Sequence, residues 1–165
     1  MVTSQFIQTV GQFGLTLAVG ASTFALIFYY VAIQDGIIDA SEKRFMHVVY
    51  RVLRVGLVLI IVTELCLALF HYMQDGFLFF KNEFLLFTWT VLAVIVCNAI
   101  LMQKHKMPMW LGPALAGGSW YTLALVHAFP PAALSSYTTL GVYYVTFVAL
   151  MVVALKIIKM VYSKK

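Results

Sequence analysis

The run KRFMHVVYRVLRVGLVLIIVTELCLALFHY, residues 43–72, has the form of a membrane-crossing helix with one basic end. Lys43, Arg44, Arg51 and Arg54 crowd its first twelve positions, and the next sixteen hold a single charge, Glu64. A bilayer core takes about 20 apolar residues to cross, and cations at one end of such a run belong in the headgroup layer. Four further apolar segments of spanning length lie outside this run. The expected spans are 7–33, 46–71, 82–102, 108–128 and 139–160, making one all-α polytopic membrane domain over residues 1–165. Composition agrees: the chain is 63% hydrophobic and 10% charged, with a mean hydropathy of +0.96. Soluble domains are about a quarter charged, so lipid must be part of the solvent here.

Charge asymmetry then orients the five spans. Lys43, Arg44, Arg51 and Arg54 flank the first connection, Lys104 and Lys106 form the third, and Lys156, Lys159, Lys164 and Lys165 end the chain. Only Lys81 falls on the other side. The positive-inside rule predicts an external N-terminus and a cytoplasmic C-terminus. The first apolar stretch exceeds a signal-peptide core and lacks its basic flank, so it is expected to stay as a span. A net charge of +5 and a pI near 9.3 would suit nucleic acid. Cations at the ends of apolar segments instead predict lipid headgroups as their partners, with no nucleic acid. No organelle address is visible, so a prokaryotic plasma membrane is the simplest placement.

The connections carry turn chemistry. Asp35-Gly36 is a turn dipeptide, and Asp39 stands three residues before Glu42 in a capping-box spacing. Gln74-Asp75-Gly76 ends the second span. Pro108 suits a first helical turn, and Pro130-Pro131 with Ser135-Ser136 forms an uncharged fourth connection. Cys66 and Cys97, both inside apolar runs, indicate neither a disulfide framework nor a redox dithiol.

Small residues recur at Gly14, Ala18, Ser22 and Ala25, one narrow helix face. In lipid such a face lets backbones approach closely, so it predicts a helix seam, with a wall against a planar cofactor as the alternative. The fourth span is expected to be broken by Gly112-Pro113 and again by Gly117-Gly118-Ser119 near mid-depth. Trp120 and Tyr121 follow, and each polar tip requires a partner there. A small-ligand site formed by Gly117, Gly118, Ser119, Trp120, Glu64 and Asn98 is the functional reading; a tightly packed helix is the other.

Glu64 is the one carboxylate at hydrocarbon depth, where an unpaired charge is costly; Asn98, Thr88, Thr90 and Trp120 are candidate partners. His47, Arg51 and Arg54 share a stripe by their i, i+4, i+7 spacing and are expected to meet lipid headgroups or another anion. His47 with His71 and His105 with His127 bracket the second and fourth spans. Pairs 24 and 22 residues apart span roughly 33–36 Å of helix, so any haem would lie at a surface. His71 and His127 are the candidate ligands for one haem b, since His105 sits in a loop between two lysines.

No nucleophile, base and orienting carboxylate fall on a common segment, and no phosphate loop or zinc spacing occurs. The sequence therefore leans away from an enzyme. Three readings follow. The first is a non-catalytic accessory or oligomeric subunit, or small apolar-ligand-binding module, working alone, as a homo-oligomer or in a larger membrane complex. The second is a b-type haem electron carrier through His71 and His127, and the third a small oligomeric transporter or channel using Glu64.

Overall fold

A computed structural model describes residues 2–35, 40–76, 82–104, 106–108, 111–129 and 136–162. Five helices follow one another: α1 (Val2–Asp35), α2 (Ala40–Asp75), α3 (Glu83–Gln103), α4 (Leu111–Ala128) and α5 (Tyr137–Tyr162). There is no strand among the described residues. An apolar environment demands that each backbone amide be satisfied within its own segment, and helices do so. The α1 and α2 helices run several residues past the apolar segments that specify them, and α5 two residues past at each end. Asp39, Gly36, Lys81, His105, the Pro130-Pro131 pair and Ser135 lie outside the described residues.

Among the described residues four helices are long and apolar enough to cross a membrane, within Ser4–Val31, Ala40–Met73, Glu83–Gln103 and Tyr137–Ile157. The α4 helix is not among them, because glycine, serine, tryptophan and tyrosine fill its centre. It is nevertheless the most enclosed, packed against α1, α3 and α5.

The ends of the helices are tied in a consistent order. Asn82 caps α3, its Oδ1 accepting the Phe84 N–H at 3.0 Å, which satisfies one orphan donor of the first turn. Glu83 beside it accepts the backbone N–H of Tyr137, so α3 and α5 begin at the same end of the bundle. At the other end of α3, the Asn98 amide donates to the Gly112 carbonyl at 3.0 Å, and α4 starts there. The α4 helix then returns along α3 until His127 meets the Phe84 ring edge-on, with centroids 5.3 Å apart. Arg54 of α2 borders the same cavity as Gln103 of α3. Arg51, Arg54, Lys104, Lys106 and Lys156 thus gather at one end of the bundle, called here the basic end.

Fold detail departs from expectation in α4. Gly112-Pro113 does not interrupt the helix; it lies in the first turn, where a missing proline N–H breaks no intrahelical bond. Pro108 stands before the helix and its carbonyl accepts the amides of Leu111 (3.1 Å) and Gly112 (3.4 Å). Nor do Gly117 and Gly118 break it. A Cβ on Gly117 would come within 2.9 Å of Leu26 Cδ1, and one on Gly118 within 2.9 Å of Val148 Cα. These glycines exist for close approach to α1 and α5.

The α1–α2 crossing is made the same way. Gly14 and Ala18 are buried against Gly56, where a Cβ would stand 2.8 Å from the Gly14 carbonyl oxygen and 3.0 Å from Ala18 Cβ. Gly76, with φ of +61°, takes the left-handed conformation that ends α2. The core joins Leu15, Ala18, Ile60, Phe87, Val91, Leu92, Ile95, Trp120, Leu123, Val126 and Leu140.

Candidate functional site

Among the described residues two spaces between the helices stand out, one toward each end, and they share no lining residue. The larger, about 1070 Å³, lies away from the basic end, among the start of α1, the end of α2, the start of α3 and the end of α4. Gln5, Gln8 and Gln12 face it from α1, Glu64 and His71 from α2, Asn82 and Thr88 from α3, and His127 from α4. Its apolar wall includes Leu15, Ile60, Leu67, Leu85 and Leu123.

At its centre His127 Nε2 stands 3.7 Å from Glu64 Oε1, with both side chains largely buried. Glu64 therefore meets none of its four expected partners. Asn98 is bonded to Gly112, while Thr88 and Thr90 donate to the carbonyls of Phe84 and Leu86. Both imidazoles are oriented by the same local device. His71 Nδ1 lies 2.8 Å from the Leu67 carbonyl, and His127 Nδ1 2.9 Å from the Leu123 carbonyl. A carbonyl can only accept, so each Nδ1 carries the proton. His127 Nε2 and the Glu64 carboxyl then attract only with one proton between them, as imidazolium and carboxylate or as imidazole and carboxylic acid.

The smaller space, about 290 Å³, lies toward the basic end. Ser22, Ala25 and Leu26 of α1, Tyr50, Leu53, Arg54 and Leu57 of α2, Ile95 and Asn98 of α3, and Pro113, Ala116 and Trp120 of α4 surround it. The small face of α1 thus serves two ends: Gly14 and Ala18 make a seam, while Ser22 and Ala25 leave room for a cavity.

The residues expected to share one site are consequently divided. Glu64 belongs to the larger cleft with His71 and His127; Asn98 and Trp120 belong to the smaller cavity. Gly117, Gly118 and Ser119 line neither and act in packing. Ser119 donates to the Leu115 carbonyl at 2.7 Å and lies 3.0 Å from the Tyr144 hydroxyl. Since its one proton is committed, Tyr144 is the donor. By the same logic Tyr121 donates to Thr23, 2.7 Å away, whose own proton goes to Val19. His47, Arg51 and Arg54 are exposed at the basic end. Cys66 and Cys97 sit exposed on α2 and α3. Among the described residues no three His, Cys, Asp or Glu side chains converge on one point.

Sequence reasoning missed the glutamine face of α1. Gln5, Gln8 and Gln12 follow the i, i+3, i+7 spacing of a single stripe, a signal that the spacing alone carries. It also missed Gly56, an isolated glycine in an apolar run. No protein-family model, curated protein or solved structure matches this chain.

Proposed function

We propose that this protein is a non-catalytic, five-span membrane module that binds a small amphiphilic ligand in the larger cleft. The Glu64–His127 pair carries this reading: a carboxyl and an imidazole, brought together from α2 and α4, in a cleft that otherwise offers amides, hydroxyls, the His71 imidazole and apolar side chains. A polar head would bond to the pair and the glutamine face, and an apolar body would lie against Leu15, Ile60 and Leu123. Among the described residues Glu64 is the only Lys, Arg, Asp or Glu side chain lining the cleft, and a cationic head that takes the place of the proton shared with His127 keeps the carboxylate paired, so a cationic head is favoured over an anionic one.

The return of α4 along α3 supports a fifth crossing. An 18-residue helix is about 27 Å long, close to the thickness of the hydrocarbon, and α1, α3 and α5 cover its polar centre. The gathering of cations at one end supports a cytoplasmic basic end and an external cleft, in a plasma membrane of prokaryotic type. The apolar outer faces of α2 and α5 are open to lipid, a second copy or a larger membrane complex.

Benzylammonium, benzamide and benzoate, matched in size, test the reading when titrated into the protein in lipid nanodiscs, with empty nanodiscs as reference. Benzylammonium should bind best, and Glu64→Gln should weaken it about tenfold, as expected for losing one charge-assisted contact. Equal responses to all three heads, unchanged in Glu64→Gln, would refute it.

The anchored Nδ1 atoms of His71 and His127 favour a second reading, haem b ligated through Nε2, since ligating imidazoles are commonly fixed in this way. Glu64 facing His127 Nε2 weighs against it. A Soret band in protein produced with ample haem, lost in both His71→Ala and His127→Ala, would give this reading precedence.

A further inference from the structure

Two side chains that line the smaller cavity each bury a polar atom with no partner among the described residues. Trp120 has none of its surface exposed and Asn98 only 3%. Among the described residues the indole Nε1 of Trp120 and the Oδ1 of Asn98 have no hydrogen-bond partner. Asn98 is held by its other amide atom, Nδ2, which donates to Gly112. Its Oδ1 is therefore left as an acceptor, while Trp120 can only donate. Both side chains line the cavity, together with Leu26, Leu57, Ile95 and Ala116 and the polar Ser22, Tyr50 and Arg54. Lipid tails offer no hydrogen bonds, so an orphaned donor and acceptor at this depth are an expense that a bound group would remove.

We propose that this cavity is a second binding site, for an apolar molecule ending in a hydroxyl. The hydroxyl oxygen accepts from Trp120 Nε1–H, and its proton is donated to Asn98 Oδ1. A carboxylate would satisfy the indole but oppose the amide oxygen, and an ammonium would do the reverse; a hydroxyl serves both. Ser22, Ala25 and Ala116 give the body of the ligand its space. Arg54 and Gln103 at the rim mark the polar mouth toward the basic end. The inference stands apart from the larger cleft, with which the cavity shares no residue.

Three probes of one shape separate the contributions. 4-Propylphenol accepts and donates, 4-propylanisole only accepts, and 4-propyltoluene does neither. Binding is measured by calorimetry in lipid nanodiscs against empty nanodiscs, which removes partition into lipid. The phenol should bind at least about tenfold more tightly than the toluene, with the anisole between, since one hydrogen bond corresponds to roughly that factor. Trp120→Phe removes an N–H that has no partner among the described residues, so the protein should fold as before, lose the preference for the anisole over the toluene, and keep only the part of the phenol preference that donation to Asn98 supplies. Ala25→Phe, which fills the cavity from α1, should abolish binding of all three. Benzylammonium binding in the larger cleft should survive both changes, so the two sites fail or succeed separately. Affinities within twofold of one another in the wild type, the behaviour of polar atoms satisfied by water, would overturn the proposal. So would an anisole preference over the toluene that persists undiminished in Trp120→Phe.

Discussion

A single methyl group at the right glycine should measure how closely these helices touch. At Gly56 a Cβ would meet the backbone of α1, the Gly14 oxygen at 2.8 Å and the Ala18 nitrogen at 3.0 Å. At Gly118 it would meet the Val148 backbone. Backbone cannot rotate out of the way, so Gly56→Ala and Gly118→Ala must push helices apart, at a cost of about 1–3 kcal/mol. At Gly112 the obstacle is the end of the flexible Met102 side chain, and at Gly20 nothing lies within 4 Å. Detergent-driven unfolding of the four alanine variants should rank Gly56 and Gly118 well below Gly112, with Gly20 neutral; a flat series would deny the close crossings. Glu64 belongs to the same scale. Glu64→Gln keeps a hydrogen-bonding group beside His127, whereas Glu64→Leu leaves that imidazole facing an apolar wall. The leucine variant should lose about 0.5–2 kcal/mol and the glutamine variant much less, judged by the same unfolding assay. Equal stability of wild type and Glu64→Leu would remove any structural part for this carboxyl.

At the scale of the element, α4 is the helix that hydropathy describes worst and packing describes best. A buried central helix has no need to be greasy all round, because its neighbours supply partners for its polar groups. Tyr121 reaches Thr23 on α1, and Tyr144 on α5 reaches Ser119. Hydrogen bonds between membrane helices average about 0.6 kcal/mol. Tyr121→Phe and Tyr144→Phe should therefore each lower stability by about that amount, and together by about the sum, because they tie different pairs of helices. A double variant no less stable than either single one would argue against independent ties. The same logic explains what the sequence makes legible. Long apolar runs and the turn residues between them announce helices, because every crossing segment must satisfy its own backbone. The seam at Gly14 and Ala18 is visible as a small-residue face. The partner of Glu64 is not, since His127 lies 63 positions away and α2 and α4 are brought together through α1, against which Gly56 and Gly117 both pack. A row of helix breakers reads as a broken helix for a related reason. Sequence shows that glycines are present; only the neighbours reveal that they serve close contact.

Over the whole molecule, the exterior is as apolar as the interior. Val48, Val55, Val58, Val62, Leu65 and Leu69 of α2 are exposed, as are Val142, Val145, Leu150 and Val153 of α5. In water such surfaces would associate without limit; beside lipid chains they are ordinary. Cation placement along this exterior gives a strict test of how the chain threads the bilayer. If α4 crosses and the basic end is cytoplasmic, Gln5 at the start of α1 and Thr138 at the start of α5 face outward, while Lys106 between α3 and α4 faces inward. Single-cysteine variants at these three exposed positions, on a Cys66→Ser, Cys97→Ser background, can be treated in intact cells with a membrane-impermeant maleimide. Gln5→Cys and Thr138→Cys should react at once, and Lys106→Cys only after the membrane is opened. Reversal of all three would keep five crossings and invert the orientation, which would turn the Glu64 cleft toward the cytoplasm. Labelling of Thr138→Cys together with Lys106→Cys would mean that α4 does not cross. The antiparallel return from Asn98–Gly112 to Phe84–His127 makes that outcome hard to reconcile with this bundle, since α3 and α4 occupy the same length of it.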